Sequence, residues 1–486
     1  MAAEPTITEL AKNLADTQTA LNIVWTMVAG FLVMFMQAGF ALVETGLTRA
    51  KNVAHTMGMN FLVYAIGIIG FYFVGFGLQM GGMGAMATFG GETTLSKEFV
   101  VNLFGKDFGL FGMSGFALPL SMFTPAVATM FLFQMVFMDT TCTIPTGAAA
   151  ERWKFTSFVL FSFVIATIIY PVYANWVWGG GWLSTLGTNF GLGHGHVDFA
   201  GSSVVHLTGG VMALVLAKMI GPRLGKYGRD GRVNPIPAHD IPMVMVGTFI
   251  LAFGWFGFNA GSTLAGTDTR LAVVAVNTML ASATGAFGAY LFARLKFGKP
   301  DPTWMANGML AGLVAITAPC AFVSSWAAML IGLVSGGLVV LAAVFIDTKL
   351  KIDDPVGAIA VHGVNGAWGI VALGLFANGV YGQGLNGVAH GVTGLFYGDA
   401  GQLIAELIGI AANVLYVVPV AALAFFVIGK LVGNRVGAED EVNGLDVPEM
   451  GVEGYSKDTS VTGSPVVAPA TAAAGLAAGK LAQSHG

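Results

Sequence analysis

Charge is what this 486-residue sequence has least of: only 10% of its residues are Asp, Glu, Lys or Arg. Soluble domains run at about 25%. So few ions cannot cover a water-facing surface, which excludes the several soluble domains that length alone would allow at roughly 100 to 200 residues each. Cysteine is nearly as scarce. Cys142 and Cys320 are the two present, and both fall in apolar stretches, which excludes a disulfide framework. No His, Cys, Asp or Glu spacing resembles a metal site, so neither metal nor cofactor is expected. No nucleophile, base and oxyanion constellation appears, so the chain is not read as a covalent-catalysis enzyme. A net charge of -4 gives no electrostatic footprint for nucleic acid. The first twenty residues lack the positive n-region and small-residue cleavage site of a signal peptide.

What is abundant is apolar: 55% of residues are hydrophobic and mean hydropathy is +0.75. The charges are bunched and leave ion-free windows at 21–43, 57–89, 108–138, 155–193, 199–217, 241–266, 271–293, 304–346, 355–398 and 407–429. A spanning helix needs about 20 apolar residues. The window at 304–346 therefore holds two spans, hinged near Pro319 and Ser324-Ser325, and the expected fold is an all-α integral membrane protein of eleven transmembrane helices. Sixteen Lys and Arg, among them Arg49, Arg152, Arg223, Lys351 and Arg435, fall at alternate turns and define one face, against Lys12, Lys97, Lys106 and Arg270 on the other. Positive loops stay cytoplasmic. The N-terminus is thus expected outside and the tail inside, in a cell membrane. The expected organisation is an extracytoplasmic arm at 1–20, an eleven-helix unit at 21–432, an acidic regulatory tail at 433–455, and a disordered Ala, Gly, Ser and Pro-rich stretch at 456–486. The 69 glycines, many inside spans, predict close helix packing, and the 36 phenylalanines read as packing or lipid-facing side chains.

An internal echo says more. Asp198-Phe-Ala-Gly-Ser-Ser-Val-Val-His206 and Asp354-Pro-Val-Gly-Ala-Ile-Ala-Val-His362 share their spacing, and the charge pattern has them entering the membrane from opposite faces. This is the mark of inverted-topology repeats, here two five-helix halves plus one extra helix, whose sites lie where the halves meet. With Asp198 and Asp354 starting their helices, each histidine is expected about two turns, or ~12 Å, deep. A single membrane histidine reads equally well as an interhelical hydrogen bond. Two at matched repeat positions favour a pore-lining pair, since ionisable groups inside a membrane mark pathways or proton relays. Asp198 reads as a helix N-cap whose charge also makes an outer vestibule attractive to cations. Asp354 reads mainly as a cap, with Pro355 at the first helical position.

The segment from Asp198 to Arg223, with Ala38-Gly-Phe-Ala-Leu-Val-Glu44, Gly254-Trp-Phe-Gly-Phe258-Asn-Ala-Gly-Ser262 and Val361-His362-Gly-Val-Asn-Gly, closely resembles the ammonium transporter (Amt/Mep/Rh) family. The resemblance runs from about residue 20 to 455. It implies a homotrimer with one pore per subunit, ammonium or methylammonium as solute, and no cofactor. It further implies that Trp178, Phe137 and Ser262 form the outer binding site, to which the charge of Asp198 adds, and that Phe137 and Phe258, with Phe133 beside them, close the pore above His206 and His362. The chemistry agrees: a small cation sits over an aromatic face, and a serine hydroxyl accepts an N–H. Taken alone, Trp178 would read as an interfacial belt residue. The chain departs from the family pattern at Asp139, in a third span more polar than the bacterial type. It departs also in a longer loop bearing His194 and His196, and at Pro448, where plant relatives place a switching threonine. Docking of the tail, or a PII-type protein on the cytoplasmic face, is the regulation the resemblance implies.

The leading reading is an electrogenic ammonium transporter that deprotonates the ion and relays its proton along the twin histidines. An ammonium sensor signalling through its tail is the first alternative, and no folded signalling domain is expected after Tyr455. A passive ammonia or carbon dioxide channel is the second, disfavoured by Trp178.

Overall fold

The computed structural model describes residues 5–455; the disorder expected over 456–486 lies outside the described residues. Among the described residues, ten helices are long and apolar enough to cross a membrane. Together with one shorter apolar helix they are α1 (Ile7–Leu47), α2 (Ala50–Met80), α3 (Pro125–Ala149), α4 (Phe155–Trp178), α5 (Ser202–Ile220), α6 (Ile241–Thr263), α7 (Leu271–Phe297), α8 (Pro302–Ile316), α9 (Ser325–Leu350), α10 (Ile359–Phe376) and α11 (Ala400–Leu431). The expected count of eleven becomes ten long helices and one, α8, of 15 residues, which at about 1.5 Å per residue is short of the hydrocarbon thickness. The break between α8 and α9 falls where Pro319 and Ser324 were expected to place it, with Ser324 the residue before α9.

Local chemistry sets most starts. Thr124, Asp240 and Asp301 accept N–H bonds at the N-termini of α3, α6 and α8, each followed by proline in the first turn, and Asp399 caps α11. Within the expected arm, α1 starts at Ile7, where Thr6 and Glu9 form a reciprocal capping box. One expectation is corrected: the window at 108–138 is not one helix. Its first part belongs to a hairpin of β1 (Glu98–Leu103) and β2 (Lys106–Gly112), with Phe99 stacked on its cross-strand partner Phe111 at 4.8 Å.

The echoed segments also differ from expectation. α5 and α10 begin at Ser202 and Ile359, not at Asp198 and Asp354. Gly201 (φ 115°) and Gly357 (φ 82°) bend the chain through the left-handed region that favours glycine, three residues after each aspartate. Asp198 reaches over its bend to accept from the N–H groups of Gly201, Ser202, Ser203 and Val204 and from the Ser203 hydroxyl. Asp354 accepts from Gly357 and Ile359. Pro355 consequently lies in the bend, outside the helix. The histidines sit in a wide π-helical opening turn of each helix, Ser202–Leu207 and Ile359–Val364, and not two turns in.

α5 and α10 run in opposite directions and cross with almost nothing between their backbones: a Cβ on Gly210 would lie 2.1 Å from the Gly363 nitrogen. α5 ends at the face where Arg223 meets Glu151 and Asp353, and α10 begins there. The tail packs on this same face. Lys51 Nζ donates to the Glu441 carbonyl (2.6 Å), Leu445 N–H to Asn52 (3.0 Å), His55 N–H to Asp446 (2.9 Å) and Phe155 N–H to Glu449 (2.8 Å).

Candidate functional site

The crossing of α5 and α10 brings His206 and His362 together, with Nδ1 to Nδ1 at 3.1 Å and the rings inclined by 21°. Two imidazoles in this contact share one proton, since one nitrogen must donate and the other accept. Among the described residues His206 Nε2 has no partner, which leaves it free to exchange a hydrogen bond with a passing molecule. α6 holds the His206 ring from the side, stacking Trp255 (5.4 Å, 19°) and Phe258 (5.4 Å, 26°) on it. Trp255 is fixed in turn by its Nε1 donating to Thr317 at 3.0 Å.

Phe258 also stacks on Phe137 of α3, with centroids at 4.2 Å, and both are fully buried. The pair closes the way between the histidines and a cavity of about 200 Å³ on the face opposite the tail. Phe133, Phe137, Trp178 and Ser262 line this vestibule together with Gln134 and Phe199. Trp178 meets Phe137 edge-on at 5.9 Å and donates from Nε1 to the Asp198 carbonyl at 2.7 Å. The Ser262 hydroxyl donates to the Phe258 carbonyl at 2.8 Å, which leaves its lone pairs to accept from a solute.

Asp198 is brought to this region differently from its expected place. It does not line the vestibule, because its carboxylate is taken up by the start of α5; it holds Trp178 through its backbone carbonyl. Behind it runs a buried polar chain. His196 Nδ1 meets Glu406 at 2.5 Å, His196 Nε2 meets the Ser203 hydroxyl at 2.9 Å, and that hydroxyl donates to Asp198 at 2.7 Å. Burial works against charge on His196, but Glu406 overrides it and raises the imidazole's pKa above its usual value. His194 contacts the His390 carbonyl at 2.8 Å, away from the vestibule lining. Asp139 lies buried in α3, one carboxyl oxygen without a partner among the described residues, and does not line this cavity.

The sequence reading assigned nothing to Trp255, Glu44, Glu406 or the helix-opening role of Gly201 and Gly357. Trp255 was within reach: three residues before Phe258 on one helix, it must share that ring's face. Glu406 was not, being 210 residues from its histidine.

Residues 24–455 match the family model described as Ammonium Transporter Family. This chain belongs to the ammonium transporter family. Ammonium transporter Amt2 of Archaeoglobus fulgidus is 41% identical over 93% of this chain and 92% of its own length, and Amt1 of Haloferax mediterranei is 39% identical over 90% and 79%. Among solved structures, one titled Sensor Amt Protein has a TM-score of 0.78 at 35% identity, covering 90% of this chain and 99% of that one. Saccharomyces cerevisiae Mep2 has a TM-score of 0.72 at 28% identity over 87% and 89%. The matched region begins within α1 and runs through the docked part of the tail, so the vestibule, ring pair and histidines all lie within it.

Proposed function

We propose that this ammonium transporter family member recruits ammonium in the Trp178, Phe137, Ser262 vestibule, strips one proton there, and passes ammonia between Phe137 and Phe258 while His206 and His362 relay the proton. The observation that carries this reading is the continuous order of vestibule, closed ring pair and proton-sharing histidines. Moving a bare cation between two buried phenylalanines costs nominally tens of kcal/mol by Born solvation. Leaving the proton outside the ring pair avoids most of that cost, and a second path for it makes net transport electrogenic. Trp178 supplies a π face for the cation and the Ser262 hydroxyl an acceptor for one N–H. Asp198 acts by fixing Trp178 and the start of α5.

The charge pattern supports a cell-membrane protein with the vestibule outside and the tail in the cytoplasm, where a PII-type protein could meet it. Assembly as a homotrimer follows the family resemblance. The deciding experiment is the electrical response to an ammonium jump in proteoliposomes for the parent, His206→Ala, His362→Ala and Trp178→Leu. All three substitutions are expected to cut the current at least tenfold. Unchanged currents would refute the site, and ammonium binding with no flux in the parent would replace transport by sensing.

A further inference from the structure

Below the histidines lies a second cavity of about 20 Å³, lined by Phe40, Glu44, Ile144, Asn307, Val361 and His362 among others. That is room for about one water or ammonia molecule. Among the described residues Glu44 and His362 are its only titratable lining groups, and no Lys or Arg lines it. Glu44 sits one turn beyond Phe40, whose ring packs against His362 at 6.1 Å. The nearby Gly147 leaves room for its carboxyl group: a Cβ there would lie 3.2 Å from the Glu44 carboxyl carbon.

The partners of Glu44 can serve it in both protonation states. Asn60 Nδ2 donates to it at 2.8 Å, and the amide is oriented by Thr143, which donates to Asn60 Oδ1 at 2.8 Å, and by Gln37. The Thr146 hydroxyl lies 2.8 Å from each carboxyl oxygen and also contacts the Thr143 carbonyl. A hydroxyl has one proton to give. When Glu44 is ionised, Thr146 donates to it. When Glu44 is neutral, it donates to Thr146, whose proton turns to the Thr143 carbonyl. No side chain has to move. The Asp354 carboxylate, five residues before α10, also acts electrostatically on Glu44.

We propose that Glu44 is the inner proton acceptor of this pore, taking the proton that leaves the histidine pair and returning it to ammonia to form ammonium at the tail-side exit. The His362 N–H bond breaks toward the molecule in the cavity and an O–H bond forms on Glu44. That O–H then breaks as the ammonia lone pair takes the proton, restoring the carboxylate, while the histidines regain a proton from the vestibule side. One proton enters and one leaves per ammonium.

The inference rests on the relay reading above, and the test separates the two. Purified full-length protein in liposomes is given ammonium jumps, and the charge moved per ammonia translocated is read from current and from internal pH together. The parent and Thr146→Val, Glu44→Gln, Glu44→Asp and His362→Ala variants are compared after checking monodisperse elution. Glu44→Gln is expected to lower the ratio at least tenfold and Thr146→Val about threefold. Glu44→Asp should conduct with a displaced pH profile. A parent that moves no charge overturns the relay itself. A parent that does, with Glu44→Gln at the parent ratio while His362→Ala has lost it, overturns the role of Glu44. Should Glu44→Gln fail to fold, a Glu44→Asp pH profile superposable on the parent's overturns it equally.

Discussion

Asp198 accepts five hydrogen bonds from Gly201 and the first residues of α5. An asparagine has one acceptor oxygen and would turn two N–H donors toward groups that are themselves donors. Asp198→Asn should therefore destabilise the protein by about 2–4 kcal/mol, at ~1–3 kcal/mol for each buried group left unsatisfied, and abolish the ammonium current by unseating Trp178. Thermal unfolding in detergent and the current in liposomes measure the two effects; a variant with the parent's stability and current would show the cap to be dispensable. Phe258 makes a sharper case for selectivity. It is the one ring that stacks on both Phe137 at 4.2 Å and His206 at 5.4 Å. On the proposed mechanism Phe258→Ala opens the desolvated gap that holds back bare cations, so potassium jumps are expected to drive current in this variant and none in the parent. A silent response would place the cation barrier elsewhere.

The elements that make the site are α5 and α10, and their contact is unequal on its two sides. A Cβ on Gly210 would meet the Gly363 nitrogen at 2.1 Å and its Cα at 2.3 Å, backbone that cannot yield. A Cβ on Gly363 finds nothing nearer than 3.4 Å. Gly210→Ala must push the helices apart and lengthen the 3.1 Å contact between the histidines, so it should lose current and folded yield, whereas Gly363→Ala should keep both. Equal behaviour of the two would show that the crossing tolerates separation. This asymmetry could not be read in the sequence, where both residues are glycines following a histidine. The Asp-x7-His echo was legible because identical spacing survives in one dimension, and it led to the pairing of the histidines. The Gly three residues after each aspartate was equally visible, yet its left-handed bend moves the helix starts by four and five residues and brings the histidines into the opening turn. Low charge identified the apolar windows but not what fills them: at 108–112 the apolar residues belong to a hairpin, because strand and helix can both be ion-free. Glu44 stood at the edge of the first window as a carboxylate beside an apolar run, and only the folding of α1 against α2, α3 and α10 brings it to the small cavity it shares with His362.

Across the whole molecule, the face that carries the tail is held by a network of ion pairs built on Arg223, Arg49 and Arg435. Arg223 bridges Glu151 at 2.7 Å and grips Asp353 through two bonds of 2.8 and 2.9 Å, while Arg49 joins Glu151 from the start of α2. Arg435 then links Glu441 of the tail to the carbonyls that end α5. Burial alone would raise the Asp353 carboxyl, but Arg223 and Arg152 outweigh it and hold the group well below the usual carboxylate range. A carboxylate depressed in the folded state contributes stability that is complete above its unfolded value, near 3.9, and is lost as pH falls toward the folded one. The melting temperature in detergent should therefore change little from pH 7 to about 5 on account of this group and fall steeply below about 4. Asp353→Asn leaves the buried Arg223 guanidinium with Glu151 as its remaining carboxylate partner, so it should melt lower at pH 7, by at most about 3–5 kcal/mol of stability, the cost of a fully broken buried pair. It should also show a shallower acid decline, because the titrating group is gone. Parallel curves for variant and parent between pH 5 and 3 would assign the acid transition to other carboxylates, and a variant as stable as the parent at pH 7 would show that the tail and the α5 to α10 crossing do not depend on this clamp.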